Sequence, residues 1–272
     1  MNNFSKSNNV EHLSPQKRNP AESIEPVEGM KKLTTFLEIA AKAMQKEGAP
    51  VKSDCRIDLE AFKNCYPAEV LSRDRQRAAR IQKEWQEKST AKERVGEKLE
   101  MLKTSIFNKF LGEKFIVARS NIIDDIDNGV DNVILERTTC NVVCAFDEVA
   151  DISGQIYQDK MRKTLEKNVM RAGANLKYGL AVNAKTKKII PQAVHNIPIF
   201  YLALPAQYIE EAIKDFRPDV KTKQETKLLS YFISSIQTQI KALDLKMLVV
   251  HPEVRKKIEI FDQAIKKYLV EK

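Results

Sequence analysis

Residues 130–149 read VDNVILERTTCNVVCAFDEV: two runs rich in β-branched residues, VDNVILER and VVCAFDEV, joined by the short polar link TTCN. Runs of this kind, bounded by turn residues, form strands, and so short a link closes them into an antiparallel hairpin. In a hairpin the start of the first strand lies beside the end of the second. Asp131 is thereby brought next to Asp147 and Glu148 at one end of a sheet.

The flanking sequence supplies the layers that must cover this sheet. From Met30 to about Glu47, Leu33, Phe36, Leu37, Ile39, Ala40 and Met44 recur at helical spacing, closed by Gly48 and Pro50. Further helical stretches begin near Asp58 and after Pro67. Thr90-Ala-Lys-Glu93 is a capping box, and the helix it opens carries the apolar stripe Val95, Leu99, Leu102, Ile106 and Phe110, with Gly112 as its stop. KFIVARS predicts a first strand and IIDDIDNG an acidic turn ahead of the hairpin. A helix over 154–170, a strand at LKYGLAV and a strand at IPIFYLAL follow; the last is apolar on both faces, which places it at the centre of the sheet. After Pro205 the pattern is helical. The expected fold is mixed α/β, a small central sheet of about four to five strands flanked by helices, too small for a doubly wound nucleotide fold. The expected organisation is a disordered polar tail at 1–29, a helical region at 30–90, an α/β core at 91–205 and a second helical region at 206–272.

Composition excludes several classes. Hydrophobic residues make up 43% of the 272, enough for a real core. Lys and Arg exceed Asp and Glu by nine, and a pI near 9.2 favours a polyanionic partner, nucleic acid first and an anionic membrane surface second. The eight glycines assemble neither a dinucleotide fingerprint nor a P-loop. Cys55, Cys65, Cys140 and Cys144 lack CxxC spacing, and His12, His195 and His251 lie far apart, so reduced thiols are expected rather than a zinc site. The N-terminal residues lack the apolar run of a signal peptide, and no stretch reaches the ~20 apolar residues of a membrane span. A cytoplasmic protein with no membrane partner is the expectation.

Carboxylates packed together repel unless a cation lies between them. Mg²⁺ or Mn²⁺ takes oxygen ligands of this kind, and such an ion activates water and stabilises a phosphoryl transition state. The same residues also admit a plainer account. Asp131 follows Asn128-Gly129 as turn chemistry, and Asp147-Glu148 close a strand where they face solvent. Asp124, Asp125 and Asp127 do not make a calcium loop, because aligning Gly129 with the template's glycine puts Ile126 at a ligand position and Leu135 where the bidentate Glu belongs. The run Arg73, Arg75, Arg77 and Arg80 reads either as a track for a phosphate backbone or as a solvated helix face.

The succession of capped helix, strand, strand beginning at Asp131, strand ending in Asp147-Glu148, helix and strand resembles the core of the PD-(D/E)XK nuclease superfamily. The resemblance implies a restriction-endonuclease-like core over about residues 91–205, with Asp131, Asp147 and Glu148 binding Mg²⁺ or Mn²⁺ and Glu100 or Glu97 adding the helix acid. Val149 stands where the family's motif lysine is expected. Lys160 or Lys163 from the following helix, or Lys177 from the next strand, would then replace it, orienting the attacking water or neutralising charge. The leading expectation is a metal-dependent nuclease acting on DNA or RNA. The alternative is a non-catalytic nucleic-acid-binding or scaffold protein on the same core, a degenerate copy whose carboxylates are structural.

Overall fold

The computed structural model describes residues 25–88, 91–139, 141–183, 185–186, 188–244 and 249–268. The polar tail and the capping box, which rests on Thr90, therefore lie outside the described residues, except that helix α1 spans Glu25–Lys46 and so takes up the last residues assigned to the tail. The helical stretch expected from near Asp58 is a short 3-10 helix at Leu59–Asn64, after which the chain runs into α2 (Ala68–Lys88) and α3 (Ala91–Leu111).

The expected mixed α/β fold is present. Strands β1 (Phe115–Arg119), β2 (Asn132–Glu136) and β3 (Val142–Val149) form an antiparallel meander, with Arg119 opposite Asn132 and Asn132 opposite Phe146. Helix α5 (Gly154–Met170) crosses over to β6 (Ile199–Ala203), which pairs parallel to β3. The order β1-β2-β3-β6 leaves β6 at an edge, not at the centre. Its two apolar faces are explained by helices: α5 and α7 (Lys223–Asp244) pack on it. Asn168 of α5 ties that helix to β6, donating to the Ile199 carbonyl at 2.7 Å and accepting from its N–H at 2.9 Å.

Strand β4 (Ala174–Val182) forms a separate two-stranded sheet with β5 (Ile189–Ile197). β5 was not anticipated, and His195 lies on it. The acidic segment expected as a turn is a short helix, α4 (Ile122–Asn128). Asn121 caps it, its side chain accepting from the Ile123 N–H at 3.0 Å, and Gly129 ends it in the left-handed conformation (φ 54°), open to glycine at little cost.

Successive side chains of a strand point to opposite faces. Phe115, Val117, Ile134, Cys144, Phe146 and Phe200 enter one core with residues of α3, α6 (Ala206–Asp215), α7 and α8 (Pro252–Ile265). Ile116, Ala118, Val133, Leu135, Ala145 and Ile199 enter a second core with α1, the 49–71 segment and the β4-β5 hairpin. Residues 55–57 lie along the free edge of β1, the Arg119 N–H donating to the Cys55 carbonyl and the Ile57 N–H to the Arg119 carbonyl, both at 2.9 Å. That contact carries Arg56 to the end of the sheet where the acids collect.

Candidate functional site

The register of the hairpin puts the acids together. The Asp131 N–H donates to the Phe146 carbonyl at 2.8 Å, and the Glu148 N–H donates to Oδ2 of Asp131 at 2.6 Å. The Asp131 carboxylate also acts electrostatically on the carboxyl groups of Asp125 and Glu148. The residues of the acidic helix diverge, as positions about 100° apart must. Asp124 accepts from the N–H groups of Lys177 and Tyr178, each at 2.8 Å, and Asp127 is gripped by both terminal nitrogens of Arg77. Asp125 alone turns to Asp131.

Asp147 and Glu148 do not face solvent. Both are buried, at 8% and 6% exposure. The Lys160 ammonium, reaching over from α5, contacts both the Asp147 carboxylate and the main-chain carbonyl of Glu148. Two turns along, Lys167 donates to the Asn128 carbonyl and adds positive charge near Asp147. From α3, the ammonium of Lys103, fully buried, contacts the Glu148 carboxylate and stands 4.8 Å from the centre of the Phe146 ring.

Glu100 lies on the same face of α3, one turn before Lys103, and both its oxygens are held by arginines. Nε and Nη2 of Arg119 donate to it at 2.8 Å each, and Nη2 of Arg56 lies 3.3 Å from both oxygens. Glu100, expected as the helix acid of a metal site, stands here as the counter-ion of two guanidinium groups. Glu97 is exposed. Lys163 is also exposed, and among the described residues no contact joins it to the acids; Lys177 pairs with Asp74 at 2.5 Å instead. Of the lysines weighed as replacements for the motif lysine, Lys160 is the one at the site.

The electrostatics follow from burial and crowding. Burial and then the charge of Asp131 push the Asp125 carboxyl up to about 9. The same two causes raise Asp147 to about 6, with Lys160 opposing them. Burial raises Glu148 well above the carboxylate range, against the pull of Lys103. Asp131 is the exception. Although burial opposes its ionisation, Lys160 and hydrogen bonds from Glu148 and Asp125 hold it at about 2. At neutral pH Asp131 and Asp147 are thus ionised, while Asp125 and Glu148 beside them retain protons. Among the described residues no three Asp, Glu, His or Cys side chains converge as a ready ion-coordinating group; ammonium groups stand between the carboxylates.

Sequence reading brought Asp131, Asp147, Glu148 and Lys160 to this place and missed Lys103, Arg119, Arg56, Asp125 and Lys167. Lys103 had a weak signal, its spacing of three residues from Glu100 on one helix. The others come from elements whose docking the sequence does not specify. Cys55, Cys65 and Cys144 are free thiols. Among the described residues no helix is long and apolar enough to cross a membrane. No protein-family model, curated protein or solved structure matches this chain.

Proposed function

We propose that this chain is a metal-dependent nuclease of the PD-(D/E)XK type, cleaving phosphodiester bonds at the Asp131, Asp147 and Lys160 cluster. One observation carries the reading. An acid preceding β2 touches the acidic end of β3, and a lysine from the following helix is delivered to the same point in place of the residue missing at Val149. The order of α3, the β1-β2-β3 meander, α5 and the parallel β6, with the β4-β5 hairpin inserted before β6, resembles the element order of that superfamily's core.

The donors fit a hard divalent cation. Those facing Lys160 are all oxygens, and Asp125 beside Asp131 holds a proton that a cation of higher charge would replace. Asp131, Asp147 and the Glu148 carbonyl would hold the ion, with Lys160 moving aside from the last two. When bound, such an ion supplies Lewis acidity and an activated water. The chain's own part is to orient and to balance charge. Lys160, tethered beside these oxygens, places an ammonium where negative charge develops on a phosphoryl group. Glu148, raised by burial against Lys103, and Glu100, held by the arginines, present no free charge, so Asp131 and Asp147 are left as the anionic pair beside Lys160.

One observation favours the alternative of a non-catalytic nucleic-acid-binding protein on this core. Lys160 already bridges Asp147 and the Glu148 carbonyl, so the charge is balanced internally. Incubating labelled plasmid, single-stranded DNA and RNA with Mg²⁺ or Mn²⁺ separates the two. The nuclease reading expects metal-dependent cleavage by the wild type and loss of at least ~100-fold in Asp131→Ala, the scale of losing one charge-stabilising group. Folded protein that binds nucleic acid without cleaving it establishes the alternative.

A further inference from the structure

A polar cleft of about 150 Å³ opens between the loop carrying Arg56, helix α2 and the start of α4. Its floor is a single stripe of α2, Arg75, Ala78, Ala79 and Gln82, spaced three and four residues apart so that all four face one way. The two alanines leave room for another backbone to approach, and the side chains at either end of the stripe are hydrogen-bond donors. Lys52, exposed, also lines the cleft. Arg56 forms the inner wall. It reaches through to Glu100 and donates to the Ser120 carbonyl at 3.1 Å.

The cleft adjoins the acid cluster through two connections. Arg56 pairs with Glu100, whose charge is felt at Asp131. Asn121 and Ile122 line the cleft and open α4, the helix that carries Asp125 to Asp131. The volume is that of about five waters at ~30 Å³ each, too small for a drug-sized ligand but enough for one group of a longer chain. Of the charged side chains in its lining, Lys52, Arg56 and Arg75 outnumber Asp58 and Glu60. The acids are partly spent: Glu60 pairs with Arg75 at 2.6 Å, and Asp58 accepts from the Glu60 N–H at 3.2 Å.

We propose that this cleft seats a backbone phosphate of a nucleic-acid strand whose neighbouring phosphodiester lies at the acid cluster, with Lys52 and Arg75 as its ionic contacts. The proposal rests on the nuclease reading and adds to it a binding subsite built from the segment N-terminal to the core. The exposed Glu60 partner of Arg75 is exchanged for phosphate, a modest cost because exposed pairs contribute little.

The test is fluorescence anisotropy of a labelled single-stranded oligonucleotide titrated with the full chain in EDTA, at several salt concentrations. Wild type is compared with the double variant Lys52→Glu and Arg75→Glu, and with Lys241→Glu on the exposed face of α7 as a charge control. Both cleft positions are exposed, and circular dichroism checks that the fold is retained. The double variant is expected to bind at least ~10-fold more weakly, with a salt slope shallower by about 0.7, as loss of one neutralised phosphate on a single strand requires. Lys241→Glu is expected to bind as wild type does. Equal binding by wild type and the double variant overturns this subsite and leaves the nuclease reading standing. Equal weakening by Lys241→Glu also overturns it, since net charge alone would then account for binding. Absence of binding by the wild type overturns this subsite, while the cleavage assay with Mg²⁺ or Mn²⁺ decides the nuclease reading by itself.

Discussion

The Glu148 N–H donates to Oδ2 of Asp131 across 2.6 Å, so the acid that precedes β2 is fastened to the main chain at the acidic end of β3. The carboxylate cannot turn away from its neighbours without losing that bond. Their shared electrostatics are a consequence of strand register, not of side-chain mobility.

Removing the charge while keeping the acceptor isolates this effect. In Asp131→Asn the Asp147 carboxyl, raised to about 6 by burial and by Asp131, is expected to titrate lower, towards the ordinary ~3.9. Asp125 is expected to fall from about 9 in the same variant. Carboxyl-detected NMR titration reads both; unchanged midpoints would show that burial alone sets them.

Asp125 also predicts how stability varies with pH. Its carboxyl binds a proton more tightly in the folded chain, at about 9, than in the unfolded one, at ~3.9. Its contribution is therefore complete below ~4 and is lost as pH rises through about 9. Asp147 acts in the same direction up to about 6, while Asp131, held at about 2, contributes above ~4 and loses its share only in acid. The unfolding free energy of the wild type is expected to fall between pH 5 and pH 8, by up to ~1.4 kcal/mol per pH unit from Asp125. Asp125→Asn should flatten the profile in urea melts. A variant with the wild-type slope would remove Asp125 as its source.

Lys103 is fully buried against Glu148. Replacing it with Met removes the cation that opposes the upward shift of Glu148 and breaks a buried pair, and is expected to cost ~3–5 kcal/mol. Combining Lys103→Met with Glu148→Gln should recover most of that loss, because neither partner is then left charged. Denaturant midpoints decide the matter: a single variant losing under ~1 kcal/mol would mean that water reaches the pair.

Lys160 and Lys163 lie three residues apart on α5, yet only Lys160 meets the acids. On the proposed nuclease reading, Lys160→Ala is expected to lower metal-dependent cleavage by ~10²–10⁴-fold, and Lys163→Ala to leave it nearly unchanged. Equal losses would mean that the lysines act through overall charge.

The hairpin, the helix after Thr90 and the C-terminal helices could be read from the chain because each depends on neighbours in sequence: strand runs, a short turn and apolar spacing. The same local logic brought Asp131 to Asp147 and Glu148. β5 was hidden because IIPQAVHNI, with Pro191, Gln192, His195 and Asn196, does not alternate cleanly. Asn121 and Gly129, one at each end of the acidic segment, turned an expected turn into α4. Side-chain chemistry alone did not place β6 at an edge, since a strand covered by helices is as apolar as one flanked by strands.

Tertiary structure alone decided which cations meet the acids. Lys103 and Arg119 carry no mark of burial in the sequence, and a charged side chain is buried only where packing supplies its counter-ion. Arg56 reaches Glu100 because residues 55–57 line the edge of β1, a contact between segments 64 residues apart. The sequence by itself determined that the carboxylates would gather; the docking of α3, α5 and the 55–57 segment determined that lysines and arginines would stand between them, because only packing across the whole chain fixes which charges share a low-dielectric interior.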